Sequence, residues 1–222
     1  VSKKFKVMLS ILVIAVAISL LASPVLASFW LKGTGFHYSP DYGDLGEGLD
    51  KAKSYYETPK VLKSGTGGAF AVGYDFGNWS LVLDTFSFKG IADYRQHRKV
   101  YSFETSTSPI LLSLVYRVPT EGQLHPYLGV GVGSFSSELK ITSNIYKGMQ
   151  EKDSPTGFQL LAGAEYRLKD GLFFSGEAKY LSAKAKYPTY RCIESCSTDW
   201  SGIFFSIGIG YKFNSPKVEY EL

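Results

Sequence analysis

The sequence predicts an all-β chain that closes into an eight-stranded antiparallel transmembrane β-barrel with short periplasmic turns and long extracellular loops. Three observations point there. Apolar and polar residues alternate with period two in eight separate segments of the 222-residue chain. The connectors between these segments alternate between short turns and longer polar stretches. Aromatic residues, 15% of the chain, gather beside the short connectors. A strand sends successive side chains to opposite faces. Membrane barrels join such strands by short turns at one rim and long loops at the other.

The elements follow in chain order. Lys3, Lys4 and Lys6 precede an uncharged apolar run, Val7 to Leu21, and then Pro24 and Val25-Leu26-Ala27. This is the layout of a cleaved secretory signal, expected over 1–27; a membrane-spanning anchor is the alternative. Residues 28–213 are then the barrel, and 214–222 a short periplasmic tail. The formal charge is +4, but the leader holds three lysines and no acid, so the remainder has 21 basic against 20 acidic residues. That balance supplies no basic patch for nucleic acid.

Strands are expected at 29–38, 68–76, 79–88, 110–118, 126–140, 158–168, 172–180 and 201–213. The last is the clearest: Ile203, Phe205, Ile207, Ile209, Tyr211 and Phe213 alternate with Gly202, Phe204, Ser206, Gly208, Gly210 and Lys212. In the first, Lys32 puts the even positions on the polar face. Short turns are expected at Phe76-Gly77-Asn78, Pro119 to His125 and Lys169-Asp170-Gly171. Gly, Asn, Asp and Pro supply their backbone geometry. Long loops are expected at 39–65, 90–100, 141–156 and 188–200. Phe76, Trp79, Tyr116, Tyr127, Tyr166, Phe173, Phe174, Tyr211 and Phe213 lie near the short-turn end and are expected to form an interfacial aromatic girdle. Alternation alone is equally compatible with a soluble sandwich or lipocalin-type barrel whose apolar faces pack inward. The leader, the girdle and the connector asymmetry favour lipid on the apolar side.

Three stretches resemble the opacity-type and OmpX- or OmpW-like families of small outer-membrane barrels. They are Gly73-Tyr74-Asp75-Phe76, the run Pro126-Tyr127-Leu128-Gly129-Val130-Gly131-Val132-Gly133, and Gly163-Ala164-Glu165-Tyr166-Arg167-Leu168. The ending Ile209-Gly210-Tyr211-Lys212-Phe213 is similar to the terminal assembly signal of such barrels, with Tyr211 and Phe213 as its aromatics. The chain departs from that pattern because Asn214 to Leu222 follow Phe213. The resemblance implies a bacterial outer-membrane location and insertion by the assembly machinery. Lipopolysaccharide and other outer-membrane lipids are the implied surroundings. It does not imply one activity, since such families include adhesins, structural proteins and conduits for small apolar solutes.

The polar face carries Lys32, Asp75, Asp84, Arg117, Glu165, Arg167, Glu177, Lys179 and Lys212. With the apolar face in lipid, these residues form an interior charge network. Eight strands leave an interior just wide enough for side chains, and charges buried there have to be paired. Leu111, Val115, Leu161, Phe173 and Phe204 share that inner face. Cys192 and Cys196 are expected to form a disulfide in the last loop, since exported proteins meet an oxidising compartment. His37 and Ser39 share a strand face, similar to the His/Ser pair of lipid A deacylases, but nothing marks a third group to orient the base. No spacing suits a metal site or a phosphate-cradling loop, so no cofactor is expected. The first long loop, with Tyr38, Tyr42, Tyr55, Tyr56 and several acids, is the best candidate contact region. The functional expectation is a non-enzymatic envelope protein, structural or interacting through loops 39–65 and 188–200. A conduit for small apolar solutes is the alternative, and a lipid A-modifying enzyme is less favoured. The extracellular ligand is not specified by these features.

Overall fold

The computed structural model describes residues 27–43, 57–60, 64–96, 99–143, 148–187 and 196–213. The leader, the tail and Cys192 lie outside the described residues, and with them the cleavage and disulfide expectations. Eight strands make the closed wall: β1 (Ala27–Pro40), β2 (Gly65–Phe76), β3 (Trp79–Phe86), β4 (Lys99–Arg117), β5 (Leu124–Ser143), β6 (Thr156–Arg167), β7 (Leu172–Ser182) and β8 (Gly202–Phe213). Every consecutive pair is antiparallel, and β1 pairs with β8 from Phe29↔Phe213 to Pro40↔Gly202, which closes the ring. A closed ring leaves no free sheet edge in hydrocarbon, where an unpaired backbone group would be costly.

The apolar side faces out. Ile203, Phe205, Ile207 and Ile209 on β8 are exposed, as are Leu128, Val130 and Val132 on β5 and Phe158 and Leu160 on β6. Their neighbours in sequence are buried inside. At the short-turn rim, Phe29, Phe76, Trp79, Tyr166, Phe174, Tyr211 and Phe213 face outward. Trp79 packs on Tyr116 with ring centroids 4.9 Å apart, and Tyr211 on Phe213 at the same distance. Two expected girdle members do not belong there. Tyr127 and Phe173 point into the barrel and are 7% and 2% exposed, because each is one residue out of phase with its outward neighbour.

The long loops are shorter than expected. Further strands, Glu57–Lys60, Phe88–Gln96 and Met149–Asp153, carry the wall upward, and Lys184–Tyr187 pairs with Cys196–Asp199 in a separate two-stranded sheet. The stretch 90–100, expected as a loop, is mostly strand: Phe88–Gln96 pairs with β4 from Phe88↔Thr107 to Gln96↔Lys99. Strand β5 likewise continues to Ser143 and pairs with Met149–Asp153. The period-two signal fails here because both faces turn polar. In β4 the buried Thr105 and Thr107 alternate with outward Glu104 and Ser106. The backbone ladder continues even though hydropathy no longer marks it.

Candidate functional site

The interior is filled in two layers. The lower layer, toward the short turns, begins with Asp75 on β2. Its carboxylate accepts from Trp30 Nε1 at 2.8 Å and from Ser80 Oγ at 2.7 Å. Arg117 Nη1 lies 2.5 Å from Oδ1 of Asp75, and Lys212 Nζ lies 2.8 Å from Oδ2. The same two cations reach Glu165, Arg117 Nε at 3.3 Å and Lys212 Nζ at 3.4 Å. Arg117 also donates to Ser80 Oγ. Arg167 bonds Glu165 at 2.9 Å from the rim, where its side chain is 37% exposed; it guards the mouth of the cluster rather than sitting inside it.

A second group lies above. Glu177 accepts from Lys32 at 3.3 Å, from Lys179 at 3.2 Å and from Tyr127 Oη at 3.0 Å. Lys179 also reaches Asp84 at 3.3 Å. Gln159 Nε2 donates to Asp84 at 3.0 Å and to Ser113 Oγ at 2.6 Å. Each carboxylate therefore meets at least one cation and one neutral donor or second cation. That pairing offsets the desolvation cost of burying charge. Every wall strand contributes: Lys32 from β1, Asp75 from β2, Asp84 from β3, Arg117 from β4, Tyr127 from β5, Glu165 from β6, Glu177 from β7 and Lys212 from β8. The network thus crosslinks the ring through its centre.

Above Lys179 the chemistry changes. Its ammonium lies 5.6 Å from the ring centroid of Phe204. From there Phe36, Tyr38, Phe86, Phe88, Leu111, Phe135, Leu139, Leu181 and Trp200 form an apolar core. Phe36 stacks on Phe204 at 4.6 Å, and Tyr38 meets Phe88 edge-on at 5.0 Å. The Tyr38 hydroxyl donates to the Trp200 carbonyl.

Large rings fit in so narrow a space because glycines stand opposite them. Trp30 faces Gly73 across the ladder, Phe36 faces Gly67, Phe173 faces Gly210 and Tyr127 faces Gly163. A Cβ at Gly73 would lie 2.1 Å from the Trp30 indole, and one at Gly210 would lie 2.2 Å from the Phe173 ring. These are cross-strand pairs in which an aromatic ring covers a neighbouring glycine. The enclosed space beside Lys32, Asp84, Arg117 and Glu177 amounts to about 20 Å³, room for a single water.

Of the nine charged residues read from the polar face, eight meet in the lumen and Arg167 meets Glu165 at its rim; Trp30, Ser80, Tyr127 and Gln159 join them and were not read as members. For three of them the signal is phase: each lies an even number of residues from a charged inward residue of its own strand, as Trp30 does from Lys32, Ser80 from Asp84 and Gln159 from Glu165, whereas β5 carries no inward charge to mark Tyr127. Tyr211 and Phe213, read as an assembly signal, lie on the outer wall at the short-turn rim. Cys196 opens the Cys196–Asp199 strand. His37 and Ser39 also lie on the outer wall. His37 is in register with Thr66 and Phe205, not with a carboxylate.

Among known families, the outer membrane protein beta-barrel domain matches residues 11–216. The chain belongs to that family. It is therefore a bacterial outer-membrane protein, and its short-turn rim is the periplasmic one. The fold is shared with neisserial surface protein A, which is 16% identical, with 84% of this chain and 99% of that one covered and a TM-score of 0.53. It is shared too with a major outer membrane protein from Thermus thermophilus, 14% identical, covering 85% of this chain and all of that one, with a TM-score of 0.51. No curated protein matches the chain.

Proposed function

We propose that this outer-membrane barrel is a non-enzymatic structural protein that meets its partners through its extracellular rim. The filled interior carries this reading: among the described residues a paired charge network occupies the lower lumen and an aromatic core the upper, and the space beside Lys32 and Glu177 is about 20 Å³. The rim is tied down as a unit. Asp41 N–H donates to the Ser201 carbonyl and Tyr42 N–H to the Asp199 carbonyl, both at 2.8 Å. Tyr42, in left-handed backbone at φ 64°, packs its ring 5.9 Å from Trp200. The bases of the first and last long loops are thereby held together, which favours presentation of both loops to one partner.

Reconstitution into planar bilayers tests the closed interior. Absence of unitary ion conductance is expected, and stable conductance steps would overturn it. Deleting 44–56 and 188–195 together should abolish binding of any extracellular partner identified for the intact protein. Unchanged binding would remove the rim from the account. The second reading, a conduit for small apolar solutes, draws on the apolar upper interior. It needs Phe36, Phe135, Leu181 and Phe204 to swing aside, and uptake of an alkane by barrel-containing liposomes would favour it.

A further inference from the structure

Two groups of charges fill the lower lumen, one around Asp75 and Glu165 and the other around Glu177 and Asp84. Arg117 and Lys212 serve the first, and Lys32 and Lys179 the second. Among the described residues, no hydrogen bond or ion pair joins one group to the other. The enclosed space of about 20 Å³ lies where they meet. Its lining takes Arg117 and Glu165 from the first group, and Lys32, Asp84, Glu177 and Lys179 from the second.

Three observations say what belongs in that space. The first is an unanswered hydroxyl. Ser175 on β7 lines the space and is in register with Glu165 on β6. It is 8% exposed, and its Oγ has no hydrogen-bond partner. Among the described residues, no other buried side chain left in that state lines this space. A buried hydroxyl without a partner forfeits the bonds it makes in water, and native interiors seldom leave one so. The second is a surplus of donors. Arg117 spends Nε on Glu165 and Nη1 on Asp75 and Ser80, which leaves Nη2. Lys32 spends one of its three ammonium protons on Glu177. The Trp30 ring meets a cation of each group, with its centroid 5.8 Å from Lys32 Nζ and 5.7 Å from Arg117 Cζ. The third is charge. The lining carries Lys32, Arg117 and Lys179 against Asp84, Glu165 and Glu177; three minus three leaves none. A balanced lining selects a neutral occupant, and the volume admits about one water.

We propose that a single buried water occupies this space and joins the two charge groups into one network. It accepts from Lys32 Nζ and Arg117 Nη2 and donates to Ser175 Oγ, and about three such bonds are usual for a buried water. The bonded interior then runs unbroken from Arg167 at the periplasmic mouth to Asp84 and Gln159 beneath the aromatic core. Polar groups linked this way respond together when one member is changed. This link holds whether or not the extracellular rim binds a partner.

The test is nuclear magnetic resonance of the refolded, isotope-labelled full chain, with a double-mutant cycle beside it. A long-lived water should give a cross-peak to Ser175 in the wild type and none in Ser175→Val, which puts methyl groups in place of the hydroxyl. Asp75→Asn changes the first group and Asp84→Asn the second. Their effects on the unfolding constant should depart from a simple product by about threefold or more in the wild type. In the Ser175→Val background they should multiply. Faster migration of unboiled samples checks that each variant is folded. A wild-type spectrum with no water cross-peak at Ser175 would overturn the proposal. So would independent groups in the wild type, or a coupling that Ser175→Val leaves unchanged. Crystals soaked in bromide separate a water from an ion: bromide density beside Ser175 would make the space an anion site instead.

Discussion

The two halves of the barrel interior solve the same packing problem with opposite chemistry. Below, Asp75, Arg117, Glu165 and Lys212 fill the lumen with charges that each meet two or more partners. Above, Phe36, Phe86, Phe135 and Phe204 fill it with rings. A charged plug depends on its partners together, because removing one leaves the buried charges it served under-compensated. An aromatic plug depends on volume, and each ring lost leaves its own cavity. The lower half should therefore fail cooperatively and the upper half incrementally.

The largest expected effect sharpens that contrast. Arg117→Met removes one of the two cations that Asp75 and Glu165 share and leaves both to Lys212, which should cost about 3–5 kcal/mol, measured by urea unfolding of the bilayer-reconstituted protein. Phe135→Ala should cost a similar amount, about 3–5 kcal/mol, but the two regions should separate in combination. Adding Asp75→Asn to Arg117→Met should lose less than the sum of the single changes. Adding Phe204→Ala to Phe135→Ala, whose rings lie in one cluster, should come closer to the sum. If both pairs behave alike, the distinction between the halves is lost.

A smaller effect tests the wall that encloses both. Ile207, 76% exposed on β8, should tolerate Val but not Lys. Ile207→Lys should destabilise the barrel by about 2–4 kcal/mol if the residue lies near the bilayer midplane. A neutral outcome would move the lipid belt elsewhere. The smallest effect lies outside the membrane. Lys89 and Glu104 form a solvated pair at 2.8 Å, and Lys89→Ala should change stability by only about 0.2–1 kcal/mol. A larger loss would mean that this pair is less solvated than its exposure indicates.

The β architecture and the strand phases were legible in the chain itself, because lipid outside and a narrow lumen inside impose a strict period of two; the direction of the greasy face came from the leader, the aromatic girdle and the unequal connectors. Lys32 alone sets the phase of β1, and Phe29 lies outward while Trp30 points in. The charged interior residues could be named for the same reason: a charge on that face has nowhere else to go. Above the lipid belt this constraint ends. There Thr105 and Glu104 are both polar though one is buried and one is not, so the continuation of the ladder through 88–107 left no mark in hydropathy. Which charges meet was decided only by closure of the ring. Asp75 and Lys212 are far apart in sequence yet 2.8 Å apart across the lumen. The pairing of Trp30 with Gly73 and of Phe173 with Gly210 likewise depends on register between strands. A single strand's pattern says which way a side chain points, but only the closed wall decides what it meets.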